Sequence, residues 1–157
     1  MRIVSVGEIL WDVIGKNEYL GGAPLNFAAH SQKLGHEVFP LSAVGADARG
    51  RKALELLKAR GMSTEFVQVL PDKPTGTAEV ELDMEGKPTF RIVRPVAYDF
   101  VDLTGQELKR IAEIEPDWIY VGTLFHMSAQ AMASTKKLLK AVPKAKVFYD
   151  VNLREGH

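Results

Sequence analysis

The order in which short apolar runs alternate with helix-period segments is what most narrows the fold of this chain. Arg2 to Val6 is a compact β-branched run closed by Gly7, the pattern of a strand covered on both faces. Pro24 opens a helical segment that reaches Leu34 and stops at Gly35, and Glu37 to Val44 reads as a second strand. Asp47 can cap a helix running through Arg60, with Ala53, Leu54 and Leu57 as its buried stripe, and Phe66 to Leu70 is a third strand. The alternation resumes with the capping box Thr104-x-x-Glu107, a strand over Trp118 to Val121, a helix capped by Ser128 and a last strand over Lys146 to Tyr149. Strand and helix in turn predict an α/β fold: a parallel sheet flanked by helices.

One segment breaks the series. Thr77 to Asp83 and Thr89 to Arg94 each alternate apolar with polar, and Glu85-Gly86-Lys87-Pro88 between them is turn chemistry. This predicts an antiparallel β-hairpin standing off the main sheet, as a lid over a site or a dimerisation flap. Lys16 to Leu20 reads as a short edge strand ahead of a pair of glycines.

The glycines open the stretch richest in chemistry, Gly21-Gly22-Ala23-Pro24-Leu25-Asn26-Phe27-Ala28-Ala29-His30. Two glycines give a backbone joint, Pro24 suits a first helical turn, and Asn26 places a short amide in that turn. Such a corner holds a hydroxylated or anionic small molecule against a helix N-terminus. Taken alone it also fits an ordinary loop-to-helix corner. Asp12 follows the first strand at its carboxyl end, where open α/β sheets bind ligands, and equally suits a plain turn.

Composition narrows the function further. Formal net charge is zero, which gives no support to non-specific polyanion or nucleic-acid binding. With no cysteine, disulfides, thiolate catalysis and cysteine-ligated metals are excluded. No apolar run approaches the ~20 residues of a membrane span, so a cytoplasmic setting is expected.

Four landmarks in consistent order then resemble the ribokinase, or PfkB, family of carbohydrate kinases, and most closely its fructokinase-type members. They are Val6-Gly7-Glu8-Ile9-Leu10-Trp11-Asp12, the double-glycine stretch through Gly35, Val44 to Arg51, and Tyr149-Asp150-Val151-Asn152-Leu153-Arg154. The resemblance covers the whole chain and implies a ribokinase-like βαβ core with a small β-lid. It implies ATP-dependent phosphoryl transfer to a sugar hydroxyl, with ATP and Mg2+ serving the full-length family. Asp12 and Asn26 match the family's sugar-holding residues, Gly21 and Gly22 its lid hinge, and Asn152 and Arg154 a turn that reaches substrate or phosphates. Carboxylate and amide groups read hydroxyls, and a guanidinium offers a fork to phosphate.

The match also has a gap. Family members are about twice as long, and the Gly-Ala-Gly-Asp-type loop that carries the anion cradle and the general base has no counterpart here. Gly45-Ala46-Asp47 belongs to the earlier landmark. The expectation is therefore that residues 1–157 form the N-terminal, sugar-binding part of such a kinase. Lid elements would lie near 13–22 and 75–97, no catalytic base is present, and the chain alone is inactive and binds neither ATP nor Mg2+ tightly. The alternatives are a stand-alone binding or dimerisation module, or a kinase for a sugar acid or nucleoside. A dinucleotide fold lacks its Gly-x-Gly-x-x-Gly. A homodimer through the lid is expected. Among other residues, Arg91 and Arg94 read as exposed strand arginines, with contact to an acidic sugar as the alternative, and Tyr98 and Phe100 as wedges between lid and core, with stacking on a sugar face as the alternative. Trp11 and Trp118 read as core. His30 shares a helix face with Asn26 and reads as a packed or solvated histidine, with a ligand role as the alternative, and His36 and His126 receive no role.

Overall fold

A computed structural model describes residues 1–82 and 88–152. The turn expected at residues 85–87, and Leu153 and Arg154, lie outside the described residues.

The elements in chain order are β1 (Arg2–Val6), β2 (Leu10–Ile14), β3 (Asn17–Gly21), α1 (Ala23–Lys33), β4 (Glu37–Gly45), α2 (Ala48–Ala59) and β5 (Phe66–Leu70). Then come β6 (Gly76–Leu82), β7 (Pro88–Ile92), α3 (Gly105–Ile114), β8 (Trp118–Gly122), α4 (Ala129–Ala141) and β9 (Lys146–Asp150). Short 3-10 turns at Ala97–Phe100 and Phe125–Met127 sit between them. The first sheet has the order β5-β4-β1-β8-β9 and every pairing in it is parallel.

Alternation along β1 divides the core. Val4 and Val6 pack with Leu41, Phe66, Ile111, Ile119 and Leu138, on the face that α3 and α4 cover. Ile3 packs with Leu25, Ala28, Val38, Ala53 and Leu57, on the face that α1 and α2 cover. Each fully buried aliphatic side chain contributes about 1.5–3 kcal/mol. Helix ends follow the caps read above. Asp47 accepts from Gly50 N at 2.7 Å, Thr104 and Glu107 form a reciprocal box, and Ser128 accepts from Ala131 N. At the margin of the sheet, Val147, Phe148 and Tyr149 on β9 are exposed.

The second sheet is larger than the expected hairpin. Its order is β3-β2-β6-β7. β6 and β7 pair antiparallel as expected, and β3 is the edge strand read from Lys16 to Leu20. Leu10–Ile14, read as a loop after the first strand, is instead strand β2, antiparallel to β3 and parallel to β6. β6, the parallel partner that joins β2 to the rest of the second sheet, lies more than sixty residues downstream, beyond the reach of local sequence reading.

The junction between the sheets corrects one expectation and carries others. Arg94 is not an exposed strand arginine: it pairs with Asp99 and donates to Leu124 O at 2.8 Å, tying the return from β7 to the loop after β8. Arg91 does lie exposed, paired with Glu79. Tyr98 is fully buried beside Leu10, and Phe100 lies under the Lys73 ammonium. Trp11 is buried and donates to Arg49 O, whereas Trp118 is half-buried at the core margin.

Candidate sugar-binding cavity

Where the carboxyl ends of β1, β8 and β9 face the second sheet, a cavity of about 410 Å³ opens. That volume lies within the range of small-molecule sites. The core wall is made by Glu8, Gly22, Ala23 and Asn26 on one side and by Thr123, His126, Asp150 and Asn152 on the other. The opposite wall comes from the second sheet through Leu10, Asp12, Ala78 and Ile92.

The double-glycine corner is shaped by close approach. Gly22 has φ +114°, and a Cβ there would stand 2.4 Å from the backbone oxygen of Glu8. A Cβ on Gly21 would stand 2.5 Å from Asp12 Oδ2. Gly22 therefore lets α1 begin directly against the end of β1, and Gly21 leaves room for the Asp12 carboxylate. Gly22, as the residue preceding α1, has no side chain to cap it. Capping comes from elsewhere: Glu8 Oε1 accepts from Ala23 N at 3.0 Å, and Ser5 Oγ donates to Pro24 O at 2.7 Å.

The structure brings together Asp12, Gly22, Asn26 and Asn152 on one cavity, with Gly21 buried immediately behind. Asp12 projects from β2 rather than from a turn of the core, so the second sheet supplies it. Burial pushes its carboxyl above the usual aspartate range. Asn152 is anchored through its backbone, its N–H donating to Thr123 Oγ1 and its oxygen accepting from the same hydroxyl.

Several lining residues carried no sequence expectation. Glu8 is 4% exposed, and burial pushes its carboxyl up to about 7. Asp150 accepts from Tyr120 OH at 2.6 Å, and Tyr120 stacks on Phe27 at 4.2 Å between centroids. His126 lies within hydrogen-bond distance of Thr135 Oγ1 (3.1 Å) and Tyr149 OH (3.3 Å), and burial holds its imidazole below the usual histidine range. No metal-ligand spacing surrounds His126, so only the folded chain reveals its position. For Glu8, the available signal was a charged residue directly after a buried strand and its Gly7.

The chemistry of the wall is that of hydroxyl recognition. Carboxylates accept from hydroxyls and amides both donate and accept. Among the described residues the lining holds Glu8, Asp12 and Asp150 but no lysine or arginine. No group of described residues could hold a metal ion through three His, Asp or Glu ligands.

The pfkB family carbohydrate kinase model matches residues 2–155, so the chain belongs to that family. A fructokinase of Vibrio alginolyticus is 29% identical over 98% of this chain and 52% of its own length. A sugar kinase from Pyrococcus horikoshii superposes with a TM-score of 0.85 at 27% identity, covering 98% of this chain and 54% of that one. A structure of the same Pyrococcus horikoshii protein in complex with ATP matches with a TM-score of 0.82 at 26% identity, over 97% of this chain and 53% of that one. The chain thus spans about half the length of the relatives it matches. Among the described residues, no helix is long and apolar enough to cross a membrane.

Proposed function

We propose that this chain is the sugar-binding, lid-bearing part of an ATP-dependent carbohydrate kinase of fructokinase type, which transfers a phosphoryl group to a sugar hydroxyl. The observation that carries this reading is the meeting of Asp12, from strand β2 of the second sheet, and Asn26, from helix α1 of the core, on one cavity at the carboxyl ends of the core strands. In this reading Asp12 accepts from sugar hydroxyls and Asn26 and Asn152 supply amide contacts. Gly21 and Gly22 form the joint between lid and core, and Arg154 reaches substrate or phosphates. The anion cradle, the general base and the sites for ATP and Mg2+ belong to the other half of the relatives' length, so residues 1–157 bind sugar without phosphorylating it. Among the described residues β7 ends the second sheet with an unpaired edge, which favours a homodimer through the lid.

The test is calorimetric titration of the 157-residue protein with fructose, ribose, 2-keto-3-deoxygluconate and adenosine. Fructose is expected to bind best. Asp12→Asn and Asn26→Ala should each weaken it about tenfold, one hydrogen bond to a charged or amide group being worth roughly 1–3 kcal/mol. No binding by any of the four, or binding indifferent to both substitutions, refutes the sugar site. A monomeric mass by light scattering refutes the dimer.

A further inference from the structure

Among the described residues, Glu8 is the one acidic group of the cavity wall that is almost wholly buried, and it is the group on which the helix start rests. Its Oε1 takes the Ala23 N–H, the first hydrogen-bond donor of α1, in place of a cap from Gly22. Its Oε2 is buried and has no hydrogen-bond partner among the described residues. The Gly22 backbone is packed against it so closely that a Cβ would lie 3.2 Å from Glu8 Cγ. Gly22, Ala23 and Asn26, the three residues that α1 and its cap give to the cavity, therefore stand where Glu8 holds them.

We propose that Glu8 is the positioning residue of this cavity: as a carboxylate it clasps the N-terminus of α1 and sets Gly22, Ala23 and Asn26 against a bound polyol. The inference rests on the sugar-site reading above and adds a charge requirement to it. A carboxylate accepts from a backbone N–H more strongly than a carboxylic acid does, and negative charge is favoured at a helix N-terminus. Burial works the other way and keeps the ligand-free carboxyl near neutrality in its titration. The surrounding charges are mixed. Arg94 after β7 favours the ionised form and Asp150 at the end of β9 opposes it. Tyr98 and Tyr120 feel the Glu8 charge, and Asp12 and His126 line the same cavity. A ligand that needs α1 held in place draws the equilibrium toward the clasped carboxylate, so binding releases a proton.

The experiment measures affinity for fructose, or for whichever sugar of the panel binds best, at pH 6 and pH 8. Calorimetry at pH 7 in two buffers of different ionisation heat counts protons. For a group titrating near 7 that must ionise, affinity should be about tenfold higher at pH 8, with about half a proton released at pH 7. Glu8→Gln keeps the size and one acceptor oxygen but not the charge. It should abolish the slope and bind at pH 8 no better than the wild-type protein does at pH 6. A slope that survives in Glu8→Gln, or a wild-type protein that binds sugar with no slope, overturns the clasp and leaves the sugar site standing. Absence of sugar binding at both pH values overturns both. If Glu8→Gln does not fold, the wild-type proton count decides together with a 13C carboxyl titration of Glu8. A released half-proton assigned to Glu8 supports the clasp, and none, or one assigned elsewhere, overturns it.

Discussion

Replacing Asp47 by alanine gives the sharpest structural test, because this carboxylate joins three parts of the chain. Oδ1 caps α2 through Gly50 N at 2.7 Å and accepts from Thr75 Oγ1 at 2.7 Å, while Oδ2 accepts from Thr75 N at 2.8 Å. Thr75 is buried and itself accepts from Gly45 N, at the end of β4. Losing an N-cap costs about 1 kcal/mol. Orphaning the buried Thr75 N–H costs roughly 1–3 kcal/mol more. The sum is about 2–4 kcal/mol, or roughly 10 °C in Tm for a chain of this size. Asp47→Asn keeps one acceptor oxygen and should lose about half as much. Urea denaturation followed by circular dichroism reads both values. A loss below about 0.5 kcal/mol in Asp47→Ala would show that the node does not fasten the chain where it leaves the core for the second sheet.

Three further outcomes are expected. Gly22→Ala forces a Cβ into the Glu8 backbone oxygen at a φ that side chains avoid, so it should cost about 3 kcal/mol and remove sugar binding, read by thermal melts and calorimetry. Arg94→Met leaves the buried Asp99 without its cation and should destabilise by about 3–5 kcal/mol in the same urea assay. Stability against pH should fall away on both sides of a maximum near pH 5. The folded carboxyl of Glu8, raised from 4.5 to about 7, loses stability as pH rises through that window, by about 3 kcal/mol. Asp47 and Glu107 carry the opposite sign. Burial raises both, but Thr75 and Gly50 on Asp47, and Gln68 and Thr104 on Glu107, outweigh it, so their contribution is lost as pH falls through their lowered values. Denaturant midpoints from pH 3 to 9 check the curve, and Glu8→Gln should flatten only its upper side.

What the sequence announces is what local chemistry fixes. The helix starts at Asp47, Thr104 and Ser128 are legible because a cap acts within three residues. The core strands are legible because burial on both faces makes them continuous apolar runs. β2 is not, because Leu10-Trp11-Asp12-Val13-Ile14 is set in its sheet by β6, far downstream, as well as by the adjacent β3. Arg94 misleads for a similar reason: its burial is set by Asp99 and Leu124, neither of which alternation can foresee. In the cavity, Asp12 and Asn26 are visible as residue types out of place in a strand end and a first helical turn. Glu8 is hidden because its work is done on a backbone N–H fifteen residues away.

The parallel seam between β2 and β6 has a consequence for the order of assembly. β3, α1, β4, α2 and β5 lie between the two strands in the chain, so β2 meets β3 at short range and β6 only across that long connection. Long-separation pairing of this kind forms slowly, after nearer contacts have repaid the loss of chain freedom. The wall that carries Asp12 is therefore complete only once that seam has closed, and ligand recognition reports its closure. Amide exchange on β2 should outpace that on β1 by orders of magnitude in a protein whose core is already protected.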